Sequence, residues 1–333
     1  MLFFPECVSI RGFFVSLCPN YLLMILNIVF ILIGGILVLW GADRLTEGAV
    51  RLAEKMHVSQ LVIGLTIVAF GTSAPEFCVS LVSALKGSAD LAIGNIVGSN
   101  IFNTLLIVGV AALVAPMTIL KATVNRDLPF AFLASTALIV LCYFGRDISR
   151  LDALVLLGIF AVFMVLAIRG SGAVEEDAAQ LRNMPVWKGV MWVVAGLACL
   201  VAGSNVFVEG ATAVARYLGV SDAVIGLTIV AGGTSLPELA TSVVAARRGN
   251  SGIAIGNVLG SNVLNICFIL GITGLITPLA ISGITYLDMT MLVLSSGLLW
   301  LVSFTKYTVA RWEGGVLLLV YLAYISWLVM NAL

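Results

Sequence analysis

The sequence predicts an all-α polytopic membrane protein with ten transmembrane helices, arranged as two inverted five-helix repeats. Three observations carry this prediction. The chain of 333 residues is 61% hydrophobic and only 10% charged, a composition typical of membrane proteins. Ten apolar segments are long enough to cross about 30 Å of hydrocarbon. The six-residue motif GTSAPE at 71–76 recurs as GTSLPE at 233–238.

Residues 1–20 form an N-terminal extension that is apolar but interrupted by Pro5, Arg11 and Pro19. The extension is similar to a poor signal peptide that lacks a small-residue cleavage site. A start codon assigned too early is an equal alternative, because Met24 stands at the head of the first good span. We assign no function to this segment.

The first repeat is predicted to cover residues 21–168 and the second residues 188–333, with a polar cytoplasmic connector at 169–187 between them. The apolar segments of the first repeat are 21–42, 58–85, 91–115, 127–145 and 151–168. Those of the second repeat are 188–208, 220–246, 253–277, 285–305 and 312–331.

The two halves align at a constant offset of 162 positions, since 238 − 76 = 162. VIGLTIVAFGTSAPE at 62–76 matches VIGLTIVAGGTSLPE at 224–238, and GNIVGSNIFN at 94–103 matches GNVLGSNVLN at 256–265. Because each half holds an odd number of spans, the two copies enter the membrane from opposite sides. The repeat is therefore predicted to be inverted.

The distribution of Lys and Arg predicts the orientation. If the N-terminus is outside, the cytoplasmic loops hold twelve of these residues and the outer loops five. This asymmetry follows the positive-inside rule. Both termini are therefore predicted to lie outside and the connector inside, in a multi-pass protein of the bacterial inner membrane.

Each copy of the motif places a carboxylate, Glu76 or Glu238, inside a long apolar segment. An ionisable residue at this depth costs at least about 2.5–3.5 kcal/mol, so it marks a functional site by default. The Pro before each acid has no N–H, which predicts broken helices at 71–75 and 233–237. Paired, interrupted segments in matching positions of two halves indicate a transporter's binding site.

The side chains that recur around the two acids carry oxygen. Thr72 shares a helix face with Glu76, as Thr234 does with Glu238. A polar stripe in the third span is copied in the eighth: Asn95, Ser99 and Asn103 match Asn257, Ser261 and Asn265. Hard cations such as Ca²⁺ and Na⁺ prefer oxygen ligands, and two carboxylates neutralise one divalent ion.

Two features of the same segments have a simpler structural interpretation. The GxxxG spacings at 94–98 and 256–260 indicate close helix packing. Two roles are open for four amides: hydrogen bonding between helices, which is favoured, or direct binding of the cation. These amides are Asn95, Asn100, Asn257 and Asn262.

The duplicated GTSxPE and GNxxGSNxxN motifs resemble the two alpha repeats of the sodium/calcium exchanger family, part of the cation/calcium exchanger superfamily. The chain is most similar to the compact prokaryotic members, from about residue 21 to the C-terminus. The resemblance implies that Glu76 and Glu238 are acidic cation ligands. It also implies hydroxyl or carbonyl ligands at Thr72, Ser73, Thr234, Ser235, Ser99 and Ser261, and central positions for Asn103 and Asn265. Carbonyls of Ala69 and Ala231 would complete outlying sodium sites.

One position departs from part of that family. Some relatives, including the potassium-dependent branch, carry Asp where this chain has Asn265. The difference argues against potassium dependence and leaves two carboxylates in the site.

The expected function is secondary antiport of Ca²⁺ for Na⁺ by alternating access, with electrogenic calcium export. The alternative is a Ca²⁺/H⁺ antiporter, in which protonation of Glu76 and Glu238 replaces sodium binding. A channel would more naturally be an oligomer with one filter, whereas this chain carries an internal inverted pair. An intramembrane hydrolase would need a nucleophile–base set or a metal motif, and neither HExxH nor GxSxG with suitable partners occurs.

The expected partners are the transported Ca²⁺ and Na⁺ ions and the lipid bilayer. The formal net charge of zero argues against nucleic acid. We expect no cofactor and a functional monomer.

Overall fold

The fold is almost entirely helical. The computed structural model describes residues 19–145, 147–169, 185–220, 225, 228–229, 231–280 and 285–332. The predicted N-terminal extension up to residue 18, and residues 170–184 of the predicted connector, lie outside the described residues.

The helices of the first half are α1 (Pro19–Met56), α2 (Gln60–Ile63), α3 (Ala69–Thr72), α4 (Ala74–Leu85), α5 (Ala89–Ile101), α6 (Val108–Val114), α7 (Leu128–Gly145) and α8 (Arg150–Arg169). Those of the second half are α9 (Val186–Tyr217), α10 (Ala231–Thr234), α11 (Leu236–Arg247), α12 (Ser251–Val263), α13 (Leu270–Ile276), α14 (Tyr286–Ser303) and α15 (Arg311–Ala332). Wider π-helical turns are inserted at Gly64–Val68, Phe102–Ile107, Thr123–Asp127 and Leu264–Ile269.

Within the described residues, eight helices are long and apolar enough to cross a membrane. A ninth span is formed if the bent pair Gln60–Thr72 and Ala74–Leu85 crosses as one unit. The predicted seventh span, 220–246, includes residues outside the described part. The number ten therefore stays a prediction.

The first helix of each half is longer than its apolar segment predicts. The predicted spans end at 42 and 208, whereas α1 continues to Met56 and α9 to Tyr217. The 38 residues of α1 extend for about 57 Å, nearly twice the thickness of the hydrocarbon, at about 1.5 Å per residue. Its charged end is stabilised by pairs one turn apart: Arg44–Glu47 at 2.6 Å and Arg51–Glu54 at 3.0 Å.

Helices α1 and α9 pack against each other through glycines spaced seven residues apart. The pairs are Gly34–Gly203, Gly41–Gly196 and Gly48–Gly189. A Cβ added at Gly41 would lie 2.7 Å from the carbonyl oxygen of Gly196, and the reverse distance is the same. From pair to pair the residue number rises along α1 and falls along α9, so the two helices are antiparallel. Antiparallel packing of the helices that open the two halves supports the inverted repeat, which stays a prediction.

The centre of the bundle is formed by two matching pairs of consecutive helices, α5 with α6 and α12 with α13. In the spans Ala89–Val114 and Ser251–Ile276, 72% and 78% of the residues in the most apolar window are buried. Glycines of the second GxxxG spacing make the close approach that the sequence indicated, whereas a Cβ at Gly94 or Gly98 would meet nothing within 4 Å among the described residues. A Cβ at Gly256 would lie 2.5 Å from the carbonyl oxygen of Leu61, and one at Gly260 2.6 Å from that of Leu65.

Within the described part of the chain there are four two-residue strands, which the all-α prediction did not include because strands this short show no alternation in the sequence. Strand β1 (Met117–Thr118) pairs antiparallel with β4 (Thr308–Val309), and β2 (Asp147–Ile148) with β3 (Leu279–Ala280). Each pair joins a loop of the first half to a loop of the second. Helix α7 separates β1 from β2, so the two pairs lie at opposite ends of the bundle.

Both predicted helix breaks are present. Helix α3 ends at Thr72 and α4 begins at Ala74, with a bend of 47° between the two parts of the span. Ser235 separates α10 from α11 in the same way. The missing N–H of Pro237 leaves the carbonyl of Gly233 without its helical donor. The hydroxyl of Ser204 donates to that carbonyl at 2.6 Å and satisfies it.

Candidate cation-binding site

The two helix breaks meet through a reciprocal set of hydrogen bonds. The hydroxyl of Ser73 donates to Oε1 of Glu238, and the hydroxyl of Ser235 donates to Oε1 of Glu76, both at 2.9 Å. All four side chains are buried, with at most 1% exposure. Each Ser precedes the Glu of its own half by three residues, yet it bonds the Glu of the other half. We call these four residues the acid–serine cluster.

The central helices add one hydroxyl to each acid. Ser99 of α5 donates to Oε1 of Glu76 at 3.5 Å, and Ser261 of α12 donates to Oε1 of Glu238 at 3.4 Å. These bonds are long for hydroxyl donors, whose usual distance to an oxygen is about 2.7–2.8 Å. Each hydroxyl therefore lies next to a carboxylate without holding it tightly.

Four buried oxygens, two on the acids of the cluster and two on amides of the central helices, have no hydrogen-bond donor: Oε2 of Glu76, Oε2 of Glu238, Oδ1 of Asn103 and Oδ1 of Asn265. They form two pairs at the 162-residue offset. A buried polar group without a partner costs about 1–3 kcal/mol, so each calls for an explanation. All four are carboxylate or amide oxygens, which are ligands for a hard cation. The donor set fits Ca²⁺ or Na⁺ as a transported substrate.

Each of the two amides is the second residue of a π-helical turn. Asn103 lies in Phe102–Ile107 and Asn265 in Leu264–Ile269. Such turns insert one extra residue into a helix and are frequent at functional sites. They also redirect the side chains that follow, so the four-residue spacing from Ser99 to Asn103 does not by itself give the amide's direction.

The sequence profile of the family described as sodium/calcium exchanger protein matches residues 26–169 and 188–330. The chain belongs to the sodium/calcium exchanger family. The family is one of transporters, and the apolar helices of this member are consistent with a multi-pass membrane protein.

Two known relatives match this chain over nearly its whole length, and a third matches over about three quarters of it. The chain is 35% identical over 320 residues to the inner membrane protein YrbG of Escherichia coli, covering 92% of this chain and 98% of the relative. It is 35% identical to the sodium/calcium exchanger MaX1 of Methanosarcina acetivorans over an alignment of 348 positions, gaps included, which covers 92% of this chain and 97% of the relative. A putative antiporter, CaxA of Alkalimonas amylolytica, is 40% identical over 263 residues, covering 77% and 82%.

A solved structure shows the same fold. The sodium-calcium exchanger NCX_Mj, soaked with 10 mM Na⁺ and 10 mM Sr²⁺, matches with a TM-score of 0.80 and 33% identity. The match covers 91% of this chain and 98% of that one. The compact prokaryotic type that the motifs indicated is therefore confirmed.

In this exchanger-family chain, two amides of the predicted polar stripe form hydrogen bonds between helices. Nδ2 of Asn95 donates to the carbonyl of Glu76 at 3.2 Å and to Ser80 at 3.0 Å. Nδ2 of Asn257 donates to the carbonyl of Glu238 at 3.3 Å and to Ser242 at 3.0 Å. These amides hold the helix after each break against the central helix, as interhelical hydrogen bonds.

The remaining predicted ligands lie on the first turn before each break. Thr72 is buried, and its hydroxyl donates to Oδ1 of Asn257 at 3.0 Å and to the carbonyl of Ala69 at 3.4 Å. That carbonyl also accepts from the amide of Ser73 at 3.0 Å. The Ala69 carbonyl is therefore held mainly by the helical hydrogen bond from Ser73, and the Thr72 hydroxyl is a long, weak second contact. In the second half, Ala231 opens α10 and Thr234 closes it.

Sequence reasoning missed four side chains that support the site: Ser80, Ser242, Ser204 and Thr104. The first two are separated by 162 positions, so a longer alignment of the halves would have found them. The counterpart of Ser204 is Ala42 and that of Thr104 is Ile266, so the repeat gave no signal for either.

Proposed function

We propose that the protein is a secondary antiporter that exchanges Ca²⁺ for Na⁺ by alternating access. The observation that carries this proposal is the acid–serine cluster, with one unpartnered oxygen on each buried carboxylate. Two buried negative charges without a counter-ion are costly, and no Lys or Arg is bonded to either acid among the described residues. A bound Ca²⁺ neutralises both carboxylates at once.

The proposed ligands are those that the motifs indicated: Glu76, Glu238, Thr72, Ser73, Thr234, Ser235, Ser99, Ser261, Asn103, Asn265, Ala69 and Ala231. Every one of them belongs to this chain, and each acid accepts a hydrogen bond from a serine of the other half within it. A single chain can therefore complete the site, which supports a functional monomer.

Alternating access is supported by the relation between the halves. The helices that open them are antiparallel, and the two breaks meet at the acid–serine cluster. In inverted-repeat transporters, rocking one half against the other exposes a fixed central site to each side in turn. We place both termini outside and the connector in the cytoplasm, in the bacterial inner membrane. The name of the Escherichia coli relative agrees with this membrane.

A Ca²⁺/H⁺ antiporter is the second candidate, because two carboxyl groups can be neutralised by protons as well as by sodium. The oxygens of Asn103 and Asn265 favour sodium. An amide oxygen does not take up a proton near neutral pH, whereas it is a ligand for Na⁺ or Ca²⁺. These two oxygens therefore offer neutral ligands for Na⁺ in the return step, which protons on the carboxyl groups would not use.

The test is ⁴⁵Ca²⁺ uptake into liposomes that contain the purified protein. We expect uptake when the liposomes are loaded with Na⁺ and diluted into choline, at equal pH on both sides. Uptake driven by a pH gradient in the absence of Na⁺ would establish the proton antiporter. Absence of Ca²⁺ movement under either gradient, with the protein shown to be folded and inserted, would contradict both candidates.

A further inference from the structure

Asn100 and Asn262 each neighbour a proposed ligand in the sequence, yet their contacts are of a different kind. Both are buried, at 1% and 5% exposure. Nδ2 of Asn100 donates to the carbonyl of Asn262 at 3.1 Å, and its Oδ1 accepts from Asn265 at 3.0 Å. Nδ2 of Asn262 donates to Thr104 at 2.7 Å, and its Oδ1 accepts from Asn103 at 3.2 Å. Neither amide therefore has an oxygen without a donor, unlike Asn103 and Asn265.

The direction of the first amide chain is set by a backbone group. The carbonyl of Asn262 can only accept, so it must face the NH₂ group of Asn100. The oxygen of Asn100 then faces Asn265, and the NH₂ group of Asn265 must point back towards it. As a consequence, Oδ1 of Asn265 is the atom left without a donor.

The second amide chain ends at a hydroxyl. Thr104 is buried at 1% exposure, and its hydroxyl accepts from Nδ2 of Asn262. Asn262 therefore offers its oxygen to the NH₂ group of Asn103, and Oδ1 of Asn103 is left without a donor. Because a hydroxyl can also donate, this chain is held less strictly than the first.

We infer that Asn100 and Asn262 are positioning residues, which hold the amides of Asn103 and Asn265 with their oxygens available to the bound cation. This inference rests on the proposed function. A primary amide has an acceptor face and a donor face of nearly the same shape. If the donor face turned towards a cation, it would repel it. Each positioning residue orients the amide of the opposite half, so the two halves must be packed together before either amide is fixed.

The first experiment compares Thr104→Val with Thr104→Ser. Valine keeps the shape of threonine but cannot accept from Asn262, so Asn262 and Asn103 can reverse together. We expect the Ca²⁺ concentration for half-maximal ⁴⁵Ca²⁺ uptake to rise about tenfold, on the scale of one hydrogen bond. The maximal rate should change less than about twofold. Thr104→Ser keeps the hydroxyl and should behave as the wild type.

The second experiment is a double-mutant cycle of Asn100→Leu with Asn265→Asp. With Asn265 present, Asn100→Leu removes the group that fixes its amide, and the half-saturating Ca²⁺ concentration should again rise about tenfold. An aspartate at 265 has two acceptor oxygens and no donor face, so it needs no orientation. In that background, Asn100→Leu should cause no loss of Ca²⁺ affinity.

A matched control removes a buried interhelical hydrogen bond elsewhere. Ser135 of α7 and Ser296 of α14 bond at 3.1 Å, and Ser135→Ala should lower thermal stability without changing half-saturation. The inference is overturned if Thr104→Val transports with wild-type half-saturation, or if Thr104→Ser is impaired as much as Thr104→Val. It is also overturned if Asn100→Leu costs the same affinity in both backgrounds. Failure of the wild type to move Ca²⁺ would instead contradict the proposed function.

Discussion

The hydroxyl of Ser73 donates to Oε1 of Glu238, whereas the Glu of its own half accepts from Ser235. The acid of each repeat is thus bonded by a hydroxyl of the other repeat. A movement that separates the two halves at this point breaks both bonds together. In the proposed exchange cycle, this arrangement would couple ion binding at the cluster to the packing of the halves.

Ser73→Ala and Ser235→Ala should therefore have similar effects. Each removes a close hydroxyl from one carboxylate and leaves it a hydroxyl of the central helix at 3.4 or 3.5 Å. A hydrogen bond to a charged group contributes about 1.5–3 kcal/mol, so half-saturating Ca²⁺ should rise at least about tenfold in each variant. The measurement is ⁴⁵Ca²⁺ uptake over a range of concentrations.

Ser326→Ala is the control for these two substitutions, because Ser326 is exposed on α15 and its hydroxyl bonds the carbonyl of Leu322 in its own helix. It should leave half-saturation unchanged. A large effect of Ser73→Ala together with none of Ser235→Ala would show that the two bonds are not equivalent in function.

Glu76→Gln and Glu238→Gln should each abolish Ca²⁺ exchange while leaving the protein folded. Removal of one carboxylate leaves a divalent ion with a single counter-charge in a buried site, where unpaired charge is expensive. The control is Glu47→Gln, since Glu47 lies at the charged end of α1 and pairs with Arg44. Near-normal gradient-driven flux in Glu76→Gln would refute the role of the acids.

The two acids and both breaks could be predicted because their causes are local. A carboxylate in an apolar segment and a Pro without an N–H are visible in the sequence, and the duplication makes each copy support the other. The partners of the acids could not be predicted. Whether Ser73 bonds Glu76 or Glu238 depends on how the halves pack, and the spacing of residues in the sequence does not indicate that packing.

The length of α1 and the π-helical turns were missed for different reasons. Apolar content ends at Ala42, but the charges that follow pair along one helix and continue it to Met56. The turn at Phe102–Ile107 has the same apolar sequence character as the helix around it, because one wider turn changes hydrogen bonding rather than composition. The sequence therefore placed Asn103 in the right helix without its final direction.

Gly34→Ala should destabilise the protein, whereas Gly35→Ala should not. A Cβ at Gly34 would lie 2.6 Å from the carbonyl oxygen of Gly203, and one at Gly35 would meet nothing within 4 Å. Overpacking of this kind costs about 1–3 kcal/mol. The measurement is the thermal unfolding midpoint in detergent. Equal midpoints for the two variants would contradict the tight packing of α1 on α9.

The proposed topology predicts opposite accessibility of the connector and the C-terminus. In a background without the six native cysteines, a cysteine at Asp177 should be protected from impermeant thiol reagents in intact cells. A cysteine added after Leu333 should react. Equal labelling of both positions, with full labelling of both after lysis, would refute the inverted arrangement.

The coupling ion should be sodium, with more than two Na⁺ exchanged per Ca²⁺. Two carboxylates balance one Ca²⁺ or two Na⁺, and the oxygens of Asn103 and Asn265 offer neutral ligands for a further monovalent ion. Such exchange moves net positive charge inwards during calcium export. An inside-negative potential should then assist export by about 2.3 kcal/mol per charge per 100 mV.

The measurement is Na⁺-driven ⁴⁵Ca²⁺ flux in liposomes whose potential is set by valinomycin and K⁺ gradients. For Ca²⁺ uptake into Na⁺-loaded liposomes, Na⁺ leaves with the excess charge, so an inside-positive potential should accelerate uptake and an inside-negative one should slow it. The same gradients without valinomycin are the control. Flux that ignores the imposed potential would rule out the electrogenic form. Flux at full rate without Na⁺ that collapses with the pH gradient would show instead that protons replace sodium at Glu76 and Glu238.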